Sequence, residues 1–177
     1  MAGAEIGLSV DATKLLRDLG EAKRRGRDMR PAFDLIGEVM QTSIVANFEA
    51  GGRPDPWAPL KAKTLLARAG GARKAKTKKG TLTKKAQRTI AGHKILIVSA
   101  TLRNSIHYIS SRDNLLIGSA LKYAAIHQYG GGFKRSHSRS GASTDDAIPA
   151  RPYLVVQRDD DRDICRILRD YLTEPLR

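Results

Sequence analysis

The chain has 177 residues, enough for one domain with a long insertion, and 41% of them are apolar, enough for a modest core. Only 5% are aromatic, so that core must be largely aliphatic. The 32 Lys and Arg against 18 Asp and Glu leave a formal charge of +14, which implies polyanionic surroundings, either nucleic acid or an acidic protein surface.

The single cysteine, Cys165, excludes an intrachain disulfide and reads as a small core residue of a helix rather than a nucleophile. The start, MAGAEIGLSVD, lacks the charged and apolar regions of a signal peptide. No apolar run approaches the roughly 20 residues of a membrane span. A soluble protein, cytoplasmic when made and without a membrane partner, is expected.

In chain order, Ile6, Leu8 and Val10 alternate with Gly7 and Ser9 as in a short strand. Asp11 can cap a following helix that carries Leu15, Leu16 and Leu19 and fades at Gly26. Pro31 suits the first turn of the next helix, the clearest in the chain. Phe33, Ile36, Met40, Ile44 and Phe48 line one face of it, and Gly51 and Gly52 supply the stop. This helix is the expected centre of the core.

A Pro-rich connection then carries Trp57, the only tryptophan, and between Pro56 and Arg112 there is no acidic residue. Twelve basic residues fall between Lys61 and Lys94. Charge at that density, without neutralisation, predicts a flexible basic loop over residues 70–92. Ile95, Leu96, Val98 and Leu102 then read as a short helix or turn. Ser105 to Ile109, the turn SRDN and the run LLIG read as a β-hairpin, and YAAIHQYGG as a short helix stopped by glycine.

Residues 131–147 are Gly- and Ser-rich and aperiodic, which predicts a second flexible loop. IPARPYLVV reads as an extended segment ending in a buried strand at Leu154 to Val156. The last element is a helix. Asp159, Asp160 and Asp161 complement its N-terminal dipole, Ile164, Ile167, Leu168 and Tyr171 form its stripe, and Pro175 stops it. The expected fold is one α+β domain over residues 1–177, a small antiparallel sheet packed on a long core helix and a C-terminal helix, with two long flexible loops.

The chemistry-bearing residues do not assemble into a catalytic set. His93, His107, His127 and His137 have no acidic residue close by in sequence, and no nucleophile, phosphate-loop or metalloprotease motif is present. The histidines are spread over different elements, and Cys165 has no partner at zinc-site spacing. No enzyme, metal or cofactor is expected. The basic run could follow a phosphate backbone through Arg73, Lys74, Lys76, Lys78, Lys79, Lys84 and Lys85, with strong salt dependence. It lacks interleaved aromatics for stacking on bases, so sequence-specific reading is not expected. A phosphate contact and a solvated loop or protein contact weigh equally. In YAAIHQYGG, packing accounts for Tyr123, Ile126 and Tyr129 on one face, leaving His127 and Gln128 to bond to backbone or to a neighbour.

Five stretches in order carry a resemblance: WAPLKAKTL from Trp57, LRNSIHY from Leu102, LLIGS from Leu115, YAAIHQYGG from Tyr123 and IPARPYL from Ile148 followed by a helix. Over Phe33 to Leu172 the chain resembles the phage virion morphogenesis family, which includes tail completion proteins of Mu-like phages. It departs from the family pattern at Ala100, where a glycine is common, and in the strongly basic stretch from Leu66 to Ile95.

The resemblance implies a non-enzymatic structural protein of the virion, present in the host cytoplasm during assembly. It would act at the head–tail junction as a homo-oligomeric ring, often sixfold, that completes or terminates the tail. Its partners would be copies of itself, the tail tube protein and head–tail connector proteins, with genomic DNA passing through the ring. A ring places one patch of each subunit on a different patch of the next. Interface residues expected on this view are Trp57, Tyr123, His127, Gln128, Tyr129, Arg151 and Pro152. For Arg151, an ion pair to a neighbour and a bond within its own chain weigh equally.

Overall fold

A computed structural model of the protein describes residues 12–133 and 146–177. The strand expected at Ile6 to Val10, the Asp11 cap and His137 lie outside the described residues. Among the described residues, eight α-helices, one short 3-10 helix and two small antiparallel sheets of two strands each form an α+β fold.

Helix α1 (Thr13–Arg27) leads into α2 (Arg30–Ala50), which starts with proline in its first turn as expected. The buried face of α2 carries Ala32, Ile36, Met40, Ile44 and Phe48, while Phe33 is only half-buried at its edge. At the far end Gly51 adopts φ +75°, a left-handed turn that a side chain would strain. Gly52 is needed for a different reason. A Cβ there would sit 2.6 Å from Asp55 O and Trp57 N, so only glycine lets the chain fold back and deliver Trp57 to the core.

The core cluster is Ile44, Phe48, Trp57, Leu102, Ile106, Ala124 and Tyr153. Phe48 meets Trp57 edge-on at 5.7 Å between ring centroids and Tyr153 at 5.2 Å. Each large side chain removed from water here stabilises the fold by about 1.5–3 kcal/mol. Few as the aromatics are, three of them stand at its centre.

The hairpin pairs β1 (Ile106–Ser110) with β2 (Leu115–Ser119), with Ile106 opposite Ser119 and Ile109 opposite Leu116. Its inner face packs on α2, where the Tyr108 ring covers Gly37 so closely that a Cβ on Gly37 would lie 2.5 Å from it. Helix α8 (Arg158–Thr173) begins with a reciprocal cap in which Gln157 N–H donates to the buried Asp160 carboxylate at 2.8 Å. Ser43 of α2 donates to the same carboxylate at 2.8 Å, fixing the α2–α8 contact. The C-terminal end of α8 packs on α1, where the Tyr171 hydroxyl donates to Asp28 O at 2.9 Å.

Several expectations change. Residues 70–92 are not an irregular loop: α4 (Ala72–Ala75) and α5 (Lys84–Ala91) lie there, joined through a bridge between Lys76 and Leu82. Both pack on α3 (Ala62–Arg68) and bury Ala75 and Ala86, while Thr83 caps α5 by accepting from Ala86 N at 3.2 Å. Small alanines let these elements close together, and the long basic side chains reach outward, so the charge does not prevent folding.

The ends of the Gly- and Ser-rich segment, β3 (Gly131–Phe133) and β4 (Asp146–Ile148), pair as a second ladder instead of belonging to a loop. No strand forms at Leu154 to Val156; Leu154 is half-buried and Val156 exposed. Cys165 faces solvent rather than the core.

Candidate assembly interface

The motifs that stand out in sequence meet in space. Helix α6 (Thr101–Asn104) leads into the hairpin, and α7 (Ala124–Tyr129) follows it. Alongside α7 runs the irregular segment 150–154, which belongs to neither ladder: Arg151 N donates to His127 O of α7 at 2.8 Å, and side chains supply further bonds. Gln128 acts as a substitute strand, accepting from Tyr153 N at 2.9 Å and Leu154 N at 3.0 Å and donating to Leu154 O at 3.1 Å. Trp57 Nε1 donates to Pro152 O at 3.0 Å, and Asn47 Nδ2 to Tyr153 O at 3.1 Å. Gly130, at φ +76°, lets the chain pass beneath this segment, because a Cβ would come within 2.8 Å of Ala150 N.

The residues expected at an interface therefore divide. Trp57 is in the core, and Gln128 is satisfied within the chain. Arg151 is buried and donates to Ala58 O at 3.1 Å and Pro59 O at 3.3 Å, so of its two readings the intrachain bond is the one formed. Tyr123, Tyr129 and Pro152 are on the surface, with Tyr129 79% exposed. Packing within the chain does not account for Tyr129, contrary to expectation, whereas Tyr123 meets the His127 ring edge-on at 5.9 Å; the residue α7 buries is Ala124. The hairpin adds a patch that sequence reading missed. Ile109 and Leu116 are register partners on its outer face and both are exposed. Strand alternation was the available signal, since Ile106 and Ile109 cannot share a face.

Positive charge is concentrated around α7. Arg68, at the end of α3, holds its guanidinium against the His93 ring, with Nη1 3.0 Å from Nδ1. Desolvation first, then the nearby Arg68, lowers the His93 pKa below the ordinary imidazole value. His127 is lowered likewise, by burial and then by Arg151, and Arg151 is lowered by burial and then by Arg68. His127 Nδ1 is buried without a hydrogen-bond partner. Among the described residues, no carboxylate forms an ion pair with Arg68 or Arg151.

The seven basic residues singled out for phosphate contact, Arg73, Lys74, Lys76, Lys78, Lys79, Lys84 and Lys85, are exposed on and between α4 and α5. Among the described residues, no carboxylate pairs with any of them.

A sequence profile of the phage virion morphogenesis family matches residues 10–173, and the chain belongs to that family. Its role is accordingly a structural or assembly one in making a virion. The chain is 28% identical over 171 residues, 97% of its length and 96% of the relative's, to Mu-like prophage FluMu G protein 2 of Haemophilus influenzae. It is 34% identical over 83 residues to the putative capsid assembly protein G of Escherichia phage Mu, covering 47% of this chain and 49% of that one. No solved structure matches the chain. Among the described residues, no helix is long and apolar enough to cross a membrane.

Proposed function

We propose that this chain is a structural protein of the phage head–tail junction, a ring-forming subunit that completes or terminates the tail and joins it to the head. It acts by contact rather than catalysis, and its partners are further copies of itself, the tail tube and the connector. The observation that carries the reading is the amount of large apolar side chain left uncovered on separate elements. Leu15, Leu16 and Leu19 are exposed on α1, Ile109 and Leu116 on the hairpin, and Tyr129 on α7. A head-to-tail ring contact needs two different patches on each subunit, and such surfaces mark interaction sites when they are contiguous.

The test is negative-stain microscopy of lysate from the parent phage with this gene disrupted. DNA-filled heads lying separate from tails are expected, and tail length then separates joining from termination. Intact, joined particles would overturn the reading.

The unpaired cations of α4 and α5 favour a second role, a sequence-independent contact to DNA. It predicts binding that falls steeply with salt and collapses when Lys74, Lys76, Lys78, Lys79, Lys84 and Lys85 become glutamine. Binding unchanged by those substitutions would remove it.

A further inference from the structure

We propose that the pocket where α3, α6 and α7 meet is a receptor for a carboxylate side chain presented by a neighbouring protein of the assembly. The pocket has a volume of about 170 Å³, and its polar lining is Arg68, Ser99, Thr101, Tyr123 and His127. Leu96 and Val98 contribute apolar wall.

Three features of the site point to an anion. The first is charge without a counterion. Arg68 and His127 line the pocket, His93 stands against Arg68, and Arg151 lies near enough to Arg68 and His127 to interact with both without lining the pocket itself; no described carboxylate pairs with either arginine. Removing cations from water without pairing them is unfavourable, so an anion entering here regains attraction that the isolated chain forgoes.

The second is donor capacity. His93 takes up one edge of the Arg68 guanidinium, and no other described group accepts from it. Ser99 and Thr101 share one hydrogen bond at 2.7 Å, which uses one hydroxyl proton and leaves the other to donate. A guanidinium with a free hydroxyl nearby suits the two oxygens of a carboxylate. The third is the His127 ring, which lines the pocket and carries a buried nitrogen with no partner.

Shape favours a side chain over a nucleic-acid strand. The space would hold about six waters at ~30 Å³ each, and its apolar wall suits the methylene stem of Asp or Glu. A duplex phosphate is esterified on both sides and stays on a broad cylinder, so it fits a small recess less well than a side chain does. The exposed lysines of α4 and α5 offer such a phosphate an open surface instead.

The identity of the partner rests on the assembly reading; carboxylate capture does not. The first experiment follows the Arg68 Nε–H and His127 ring resonances of the full-length protein by NMR. Sodium acetate is titrated at constant ionic strength, with inorganic phosphate as a parallel series. Saturable shifts with acetate are expected, at least tenfold weaker in Arg68→Gln, whose folding is checked by its thermal transition. No saturable shift, an equal shift in Arg68→Gln, or stronger saturation by phosphate would overturn the carboxylate assignment.

The second experiment complements the disrupted gene with Arg68→Glu and Arg68→Lys. Loss of the protein from particles with Arg68→Glu and retention with Arg68→Lys is expected. Normal incorporation of Arg68→Glu would overturn the partner contact even if acetate binds. If acetate fails to bind while gene disruption still leaves heads and tails unjoined, the inference falls and the junction reading stands.

Discussion

Gln128 is the most economical place to test how the family motifs hold the fold. Gln128→Ala removes an acceptor used by Tyr153 N and Leu154 N and a donor used by Leu154 O. Tyr153 is 1% exposed, so its amide cannot turn to water, whereas Leu154 is half-buried and can recover part of its loss. A buried donor stripped of its acceptor costs about 1–3 kcal/mol. Taking the middle of that range for Tyr153 and its low end for Leu154 gives a destabilisation of about 3 kcal/mol. For a chain of this size that is a fall in Tm of about 6–12 °C at about 2–4 °C per kcal/mol. Gln128→Glu keeps both acceptor interactions but sets a carboxylate oxygen against Leu154 O in place of the donor, so it should not recover the stability of the parent. Urea unfolding followed by Trp57 fluorescence measures all three proteins with one probe, because Trp57 donates to the same segment through Pro152 O. A shift in the midpoint with an unchanged m-value is expected. If Gln128→Ala lies within about 0.5 kcal/mol of the parent, the substitute-strand account of this segment is wrong.

Three further outcomes follow from the same structure. Gly37→Ala drives a methyl into the Tyr108 ring at 2.5–2.7 Å and should destabilise by about 1–3 kcal/mol despite alanine's better helix propensity, with Tyr108→Ala in the same chain relieving much of it; purely additive losses in a double-mutant cycle would refute the contact. Ala100 sits at φ +57°, so Ala100→Gly, although it adds a flexible residue, should stabilise by about 0.5–1 kcal/mol in thermal unfolding, and a lower Tm would argue against the strain. His93 and His127 have folded pKa values below the ordinary 6.5, so the unfolded chain takes up protons first; stability is full above about pH 6.5 and is lost as pH falls through the lower folded values. Unfolding at pH 7.5 and 5.5 should show that loss, and His93→Gln with His127→Gln should flatten it.

Local pattern made most of the elements readable. Pro31 and the Gly51–Gly52 pair mark both ends of α2 from sequence, and period-2 alternation around SRDN gives the hairpin, because caps and turns depend on residues a few positions apart. Family membership was legible for the same reason: five short motifs keep their order, and the family profile spans residues 10–173.

What tertiary structure alone decided is which residues those motifs spend on the fold and which they leave for partners. Trp57, Gln128 and Arg151 all stand out in sequence, yet each is turned inward by partners about 25 to 95 positions away. No local signal records such a partner. The basic stretch shows the converse. Its composition predicts a loop, but packing on α3 through Ala75 and Ala86 makes it helical, because alanine is small enough to be buried while the neighbouring lysines remain solvated. The gathering of Arg68, His93, His127 and Arg151 was likewise set by the fold, which brings positions 83 residues apart in the chain, from 68 to 151, into one electrostatic site.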